Sequence, residues 1–557
     1  MEKKEDILVE ELCSLVISKK VPEALSLLEK SGQEYLADHN WTLLPGFCIR
    51  ISSCKSEDYD LSDALIIIDN LLTASSPKEL VFILLECCEA FRGRSLFRDL
   101  VSRLQTSLMQ LKTNQYSLDI ILGTLYGNIV VNDALLTEYK TIASETDETL
   151  MKIQGKESLN HLLGLIKIVS DFMVALVDPI VTAGDAQNQG HMVEYVLRIL
   201  NYPLLYVHMD DDVFEAVTVL ANIIASFKPN LFEELLTPSR NDYDAGSMEP
   251  NPIQQARMSE KSDPCALGNL CHALLVHRVT PLWVPEVYSA CYRFRVLLPT
   301  VSSLWPRSSN HAVMCKALEL LEEMMKSINA LSLDSFMMDL AEFKGMFSFL
   351  FYAMQFCELL PLRRKAAELL RTVLVRMSQS GKYTAFNWML ETVASPELLG
   401  FIYTIIKDNI HDQWGSNEER AHFVTLLSKI FCPPIEGSGD LIGDLDRISA
   451  ALNLARYLAA RGKNRASSFT TDMQAYVNKY IIPVGKCLEE SIAELEKRLL
   501  EPVEGLEAKP AIDVSVSVGN EVIENNEQLE REATEASLRK LQMVQYVHRC
   551  LTESLVA

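Results

Sequence analysis

The chain has 557 residues, of which 48% are hydrophobic and 23% are charged. That length allows about three or four globular domains or one long repeat array, and the composition excludes a chain that is disordered throughout. The formal net charge is −23. Such an acidic surface repels phosphate, so we expect neither nucleic acid nor an anionic membrane as a partner.

The cysteines and the first residues predict a protein of the cytoplasm or the nucleus. Thirteen cysteines are present, no CxxC motif occurs, and several of the cysteines occupy apolar helix positions. Such thiols are typically reduced and buried. The charged start of the chain is not followed by an apolar core of signal-peptide length. No run of about 18 uncharged apolar residues predicts a membrane span.

Helical periodicity runs through most of the chain. The segment after Pro77 carries an apolar face with i, i+3, i+4 and i+7 spacing. Asn310 is a candidate N-cap of a second helix, whose Lys316 lies off the apolar stripe. Pro361 begins a third helix, and a fourth follows Asp444. The inward-facing residues of that fourth helix are predicted to be Leu445, Ile448, Leu452 and Ala455.

Amphipathic helices with few strand signals predict an all-α fold. Because a single hydrophobic core stops growing near about 250–300 residues, we predict a HEAT/armadillo-like helical solenoid in two halves, with a compact bundle as the alternative. The clearest strand-like alternation lies at 512–518. We assign it to a disordered tail, with an edge strand as the alternative.

Composition divides the chain into five predicted segments. A stretch rich in proline and polar residues predicts a loop, and a stretch with ten acidic and two basic residues predicts a flexible linker. The segments are an N-terminal HEAT-like region at 1–237, the loop at 238–264, a partner-binding C-terminal HEAT-like region at 265–500, the acidic linker at 501–535 and a terminal helix at 536–557. The apolar face of the terminal helix is predicted to comprise Leu538, Leu541, Met543, Val544, Val547, His548 and Leu551.

A search for catalytic and metal motifs predicts no enzyme. The sequence has no GxSxG, HExxH, GxxxxGK[ST] or GxGxxG motif, so we expect no catalytic residue, no cofactor and no small-molecule substrate. His272 and His277 lie near Cys271, but residues five apart on a helix diverge, so we predict no metal site there. Asp210 and the two acids after it lack the pattern of a calcium loop and are predicted to cap a helix N-terminus.

The helix after Asp444 carries a family resemblance. The block DLDRISAALNLARYL at 444–458 is similar to a block near the C-terminal end of the glomulin family. Further similar blocks keep the same order along most of the chain: SPKEL at 76–80, YPLL at 202–205, KALELLE at 316–322, SGKYT at 380–384, IIKDNI at 405–410 and the segment around Pro483. Within the family, the chain looks closest to the plant branch, the aberrant lateral root formation proteins.

The resemblance implies a HEAT-like helical protein without enzymatic activity. It also implies that the C-terminal region binds the RING subunit of cullin–RING ubiquitin ligases, and through it the cullin. The bound protein covers the RING face that recruits the ubiquitin-conjugating enzyme, and so inhibits ubiquitin transfer. In a plant, the resemblance implies a role in lateral root formation.

We place the contacts in the blocks that contain polar or aromatic residues not required for helix packing, because Trp, Tyr and Arg are the usual interface anchors. The candidate partner-binding residues are Lys407, Asn409, Gln413, Trp414, Arg447, Asn453, Arg456 and Tyr457. Two alternatives stay open: Trp414 in the core, and Arg447 as the cap of an adjacent helix. A HEAT-repeat scaffold with no ligase role is the alternative function.

Overall fold

The structure is a computed structural model that describes most of the chain. The described residues are 4–54, 60–90, 94–112, 117–132, 134–143, 151–227, 264–279, 288–413, 417–432, 441–462, 475–500, 517–518, 521–522 and 527–556. Most of them are helical, which confirms the predicted all-α fold class. The chain divides into two compact units: Met1–Asn329 with Ala341–Val373, and Ala330–Leu340 with Leu374–Ala557.

The first unit consists of helices and one strand pair. Its elements are α1 (Lys4–Ile17), α2 (Val21–Ser31), α3 (Gln33–Ser53), α4 (Leu61–Leu72), α5 (Pro77–Ala90), α6 (Arg94–Met109), α7 (Leu118–Val131), α8 (Ala134–Thr137), β1 (Lys140–Ala143), β2 (Met151–Gln154), α9 (Lys156–Ala183), α10 (Ala186–Asn201), α11 (Asp211–Phe227), α12 (Pro264–Leu275), α13 (Ala290–Ser302), α14 (His311–Lys326) and α15 (Ala341–Phe356). Short 3₁₀ helices lie at Leu204–Tyr206 and Trp305–Arg307. Helix α16 (Leu360–Arg376) begins in this unit and ends in the second.

The second unit continues the helical pattern. Its elements are a 3₁₀ helix at Ser335–Asp339, then α17 (Gln379–Thr392), α18 (Pro396–Gln413), α19 (Asn417–Ile430), α20 (Leu445–Gly462), a π-helical turn at Val477–Ile481, α21 (Ile482–Leu500), β3 (Ser517–Val518), β4 (Glu521–Val522) and α22 (Glu527–Val556). The predicted helices at Pro77, Pro361 and Asp444 correspond to α5, α16 and α20.

Within each unit, helices pack on their neighbours and on the next helix but one. In the first unit α1 packs on α3, α3 on α5, α5 on α7, and α12 on α14; in the second, α18 packs on α20 and α20 on α22. Packing of alternate helices side by side is typical of helical repeat arrays. Many helices bury one apolar stripe, whereas α12 is buried on all sides from Cys265 to Leu274. The four predicted inward residues of α20 are buried.

Two capping predictions are confirmed. The Asn310 side chain accepts hydrogen bonds from the backbone N–H groups of Ala312 and Val313 at the start of α14. The Asp210 carboxylate accepts one from Val213 at 3.0 Å, at the start of α11. Each cap satisfies donors that the first turn of a helix cannot pair internally.

The structure differs from the predicted segmentation at three places. The contact boundary between the units lies at Val373–Leu374, inside α16, and α12 packs on α10, so residues on both sides of the predicted loop belong to one unit. Of that loop, only Pro264 lies among the described residues, and it begins α12. The terminal helix begins at Glu527, within the predicted acidic linker, because i, i+4 pairs such as Arg531–Glu535 suit an exposed helix.

Strand pairs occur where helix alone was expected. Strands β1 and β2 pair antiparallel, with Thr141 opposite Ile153. Strands β3 and β4 form a second antiparallel pair, with Val518 opposite Glu521. Val518 is the last residue of the alternation at 512–518, so the end of that segment forms a short strand, which was the alternative to a disordered tail. Residues 501–516 lie outside the described residues.

The thirteen cysteines form no disulfide, and eight of them are buried. The sequence predicts reduced, buried thiols, and Cys432 is exposed instead. Burial raises the pKa of the Cys13 thiol to about 12 and that of Cys315 also to about 12, which leaves both protonated and unreactive at neutral pH. Among the helices of the described residues, none combines the length and the apolar character needed to cross a membrane.

Candidate partner-binding surface

The predicted contact residues lie in the second unit, on helices α18 and α20. These helices pack against each other closely because α18 carries Gly400 at the crossing. A Cβ atom at that position would lie 2.9 Å from the backbone oxygen of Asp446, at the start of α20. Glycine therefore allows a backbone approach that a larger residue would prevent.

Helix α20 presents two of the predicted residues to solvent. Leu452 and Ala455 are fully buried, whereas Asn453 and Arg456 are exposed and lie one turn apart. Residues three apart occupy the same face of a helix. The buried stripe fixes the helix, so these two polar side chains project from a rigid support.

Two other predicted residues have partners inside the unit. The Arg447 guanidinium donates to the Asp444 carboxylate at 2.6 Å, so Arg447 supports the start of its own helix. The Asn409 carbonyl oxygen accepts a hydrogen bond of 3.2 Å from the amine of Lys382, which is buried. Both side chains serve the fold first, which makes them weaker anchors than Arg456.

The effect of Arg447 on buried tyrosines supports a structural role. Burial raises the pKa of Tyr403 to about 12, and the positive charge of Arg447 acts in the opposite direction. The same two opposing causes act on the fully packed Tyr480, whose pKa is also raised. The guanidinium is therefore within electrostatic range of both phenols.

The remaining predicted residues divide between described and undescribed positions. Lys407 is one-third exposed, and its amine lies 3.5 Å from the neighbouring Asp408 carboxylate. Tyr457 is half-buried. Gln413 is the last residue of α18, but its side chain lies outside the described part of the chain, as does the whole of Trp414.

Two exposed apolar residues of α22 join this surface. Met543 and Tyr546 are 70% and 66% exposed and lie three residues apart on a helix that packs on α20. A hydrogen bond with Cys550 raises the pKa of Tyr546, while the charge of Arg456 acts to lower it. The guanidinium and the phenol are thus within electrostatic range of each other. We call Asn453, Arg456, Met543 and Tyr546 the Arg456 surface.

Met543 corrects the predicted face of the terminal helix. Leu541, Val544 and Leu551 are buried as expected, and they follow i, i+3 and i+10 spacing. Met543 lies two positions after Leu541, about 200° around a helix, and therefore faces away. The helical position of Met543 could have been worked out from the sequence. The proximity of Tyr546 to Arg456 could not, because 90 residues separate them.

The histidine pair also corrects a prediction. The ring centroids of His272 and His277 are 4.9 Å apart, where divergence was expected. The expectation assumed a continuous helix, but α12 ends at Leu275 and the chain turns at Arg278, which has a φ of +51°. Because the chain leaves the helical path before His277, its ring lies against His272 and close to Glu319 of α14.

Comparisons with known proteins cover most of the chain. A family described as "Uncharacterised protein family, YAP/Alf4/glomulin" matches residues 306–543, which include the Arg456 surface except its last residue, Tyr546. Glomulin of Homo sapiens is 23% identical over 500 residues, which span 86% of this chain and 82% of that protein. Glomulin of Mus musculus is 22% identical over 492 residues, spanning 85% and 79%. These matches make the chain similar to the glomulin family over most of its length, and its all-helical fold agrees with that similarity.

Proposed function

We propose that this protein is a non-enzymatic regulator that binds the RING subunit of a cullin–RING ubiquitin ligase. It masks the site for the ubiquitin-conjugating enzyme and so inhibits ubiquitin transfer. The observation that carries the proposal is the similarity to glomulin over most of the chain, since the family resemblance implies this activity. The matched region at 306–543 also includes the whole of α20.

Inhibition of this kind requires only affinity and overlap. Two proteins cannot occupy one face of a RING domain, so the inhibitor needs no catalytic side chain. A rigid helical support suits the task, because contact residues held by a packed core lose little conformational freedom when they bind. Helix α20 meets this requirement through its buried Leu452 and Ala455.

The Arg456 surface is the proposed centre of contact. It combines an exposed arginine, an exposed tyrosine and an exposed methionine on two packed helices. Arginine and tyrosine are enriched among residues that dominate binding energy, and methionine adapts its shape to a partner. An arginine at the centre can donate to several carbonyl or carboxylate oxygens at once.

The proposal extends to the setting of the protein. Reduced, buried cysteines favour the cytoplasm or the nucleus, where cullin–RING ligases act. The resemblance to the aberrant lateral root formation proteins adds a role in lateral root formation if the source is a plant. Neither extension is needed for the binding proposal.

Calorimetry of the full chain against a purified RING–cullin complex tests the proposal. We expect one-to-one binding. Arg456→Glu should lose about 2 kcal/mol or more of binding free energy, which is the hot-spot range and corresponds to a roughly thirtyfold higher Kd. The matched control is Arg498→Glu in α21, which makes the same charge change at a residue that is 65% exposed. Equal weakening by both variants refutes the contact assignment. Absence of binding by the parent refutes the function and favours the scaffold.

A further inference from the structure

Three potential metal ligands meet in the first unit, far along the chain from the Arg456 surface. A ring nitrogen of His272, a ring nitrogen of His277 and a carboxylate oxygen of Glu319 all lie within 4.8 Å of one another. The first two come from the end of α12 and the turn after it, and the third comes from α14. Among the described residues, this is the one group in which three or more His, Cys, Asp or Glu ligand atoms lie close enough together to hold a metal ion.

The histidine nitrogens are not all satisfied by the protein. The His272 side chain is fully buried, and its Nε2 lies 3.0 Å from Oε2 of Glu319. The Nε2 of His277 is buried with no hydrogen-bond partner; the Nδ1 of His272 is also unpaired, but it faces away from Glu319 and does not contribute to the site. A buried polar atom without a partner costs about 1–3 kcal/mol, and an unoccupied place for an ion is one accepted explanation.

The charges of the three groups suit a cation. The ring of His277 has an unpaired nitrogen for a metal ion, and the Glu319 carboxylate supplies the negative charge. Two imidazoles and one carboxylate form the donor set.

The surroundings include competitors for Glu319. The amine of Lys365 lies 3.9 Å from Oε1 of Glu319 and 2.9 Å from Glu322, and the Cys315 thiol lies 3.4 Å from the same Oε1. These groups face one carboxylate oxygen, whereas His272 faces the other. Burial lowers the pKa of the nearby Lys316 to about 7, which reduces its charge at the site.

From this arrangement we infer that His272, His277 and Glu319 bind a divalent transition-metal ion of the zinc class. Imidazole nitrogen favours zinc over calcium and magnesium, which prefer oxygen ligands. Three protein ligands with an open position for water are a known coordination of zinc. The ion links the end of α12 to α14.

Binding requires a modest closure of the site. Ligands about 2.0–2.1 Å from a tetrahedral zinc ion lie about 3.4 Å apart, which is less than the largest separation here. The movement falls on His277, because it lies beyond the end of α12 and is half-buried. His272 and Glu319 already lie at 3.0 Å.

Metal titration of the chelator-treated full chain tests this inference. We expect one equivalent of Zn²⁺ to bind with a Kd of about 1 μM or tighter, and Co²⁺ to give the visible absorption of a nitrogen-ligated site. His277→Ala should weaken binding at least tenfold. The control is His191→Ala, which removes a histidine that lies 4.0 Å from a single carboxylate, that of Asp119, and should bind as the parent does.

A second variant keeps the test independent of folding. Glu319→Gln retains an oxygen that can accept the His272 hydrogen bond but loses the negative charge, so it should also weaken Zn²⁺ binding at least tenfold. Circular dichroism identifies any variant that unfolds, and such a variant is set aside. Parent-like binding by a folded His277→Ala or Glu319→Gln variant overturns the inference, as does less than a fifth of an equivalent bound to the parent.

Discussion

Docking of the terminal helix depends on a single glycine. Gly485 of α21 faces His548 of α22, whose Nε2–H donates to the backbone oxygen of Ile481 at 2.9 Å. A Cβ atom at Gly485 would lie 2.6 Å from that Nε2 and closer still to the adjacent ring carbon. Gly485→Ala therefore cannot coexist with the present position of the imidazole.

The size of the effect follows from three contributions. Overpacking of a fitted contact costs about 1–3 kcal/mol, and loss of the His548 hydrogen bond costs about 0.5–1.5 kcal/mol. In the opposite direction, alanine stabilises a helix interior by up to about 1 kcal/mol relative to glycine. We expect Gly485→Ala to weaken the docking of α22 by about 1–3 kcal/mol, while the control Gly127→Ala, whose Cβ has no atom within 4 Å, should be neutral or stabilising.

Hydrogen exchange of the full chain measures the predicted loss. Amides around the buried Leu541, Val544 and Leu551 should exchange about five- to 160-fold faster in Gly485→Ala, as a loss of about 1–3 kcal/mol requires. Adding His548→Ala removes the clashing ring, so the double variant should lose less than the sum of the single changes. Unchanged protection in Gly485→Ala, or strict additivity in the double variant, refutes the reasoning.

Three further predictions concern stability. Burial lowers the pKa of Lys316 to about 7, so above that pH the unfolded chain binds more protons than the folded chain and stability rises with pH. The free energy of urea unfolding of the parent, minus that of Lys316→Met, should therefore rise by up to about 2.7 kcal/mol from pH 7 to pH 9. A difference that does not change with pH contradicts the pKa shift. Leu452→Asp buries an unpaired charge and should lower the free energy of unfolding, measured by chemical denaturation, by about 3 kcal/mol or more. Arg456→Glu should change that free energy by no more than about 0.5 kcal/mol. If both variants lose the same stability, Arg456 is a structural residue. Gly400→Ala places a Cβ 2.9 Å from the Asp446 oxygen and should lower the melting temperature; an unchanged value argues against the close helix crossing.

Local patterns predicted the helices well where a helix buries one apolar stripe. The apolar spacing after Asp444 identified α20 and its buried Leu452, and Asn310 identified the start of α14. Capping and periodicity depend on residues within a few positions of each other. These features therefore required no knowledge of the tertiary structure.

Features that depend on distant parts of the chain could not be predicted in the same way. Lys316 lies off the apolar stripe of α14 but is buried, because its amine donates to the Leu204 oxygen and to Asn269. Strands β1 and β2 are four residues each and depend on pairing with each other. The contact between His272 and His277 follows from where α12 ends, and no glycine marks that end.

The candidate surface was predicted in part for the same reason. Exposure of Asn453 and Arg456 follows from their position opposite the buried stripe of α20. Their proximity to Tyr546 depends on where α22 docks. The internal partners of Arg447 and Asn409 likewise became evident only from the packed structure.

The central claim is competition for the RING face, and a reconstituted cullin–RING ligase measures it most directly. The rate of ubiquitin transfer is recorded against increasing amounts of the full chain, at several concentrations of the ubiquitin-conjugating enzyme. Competition predicts that the half-maximal inhibitory concentration rises as the concentration of that enzyme rises. An inhibitory concentration that stays constant, or full transfer at saturating amounts of the chain, would contradict the claim.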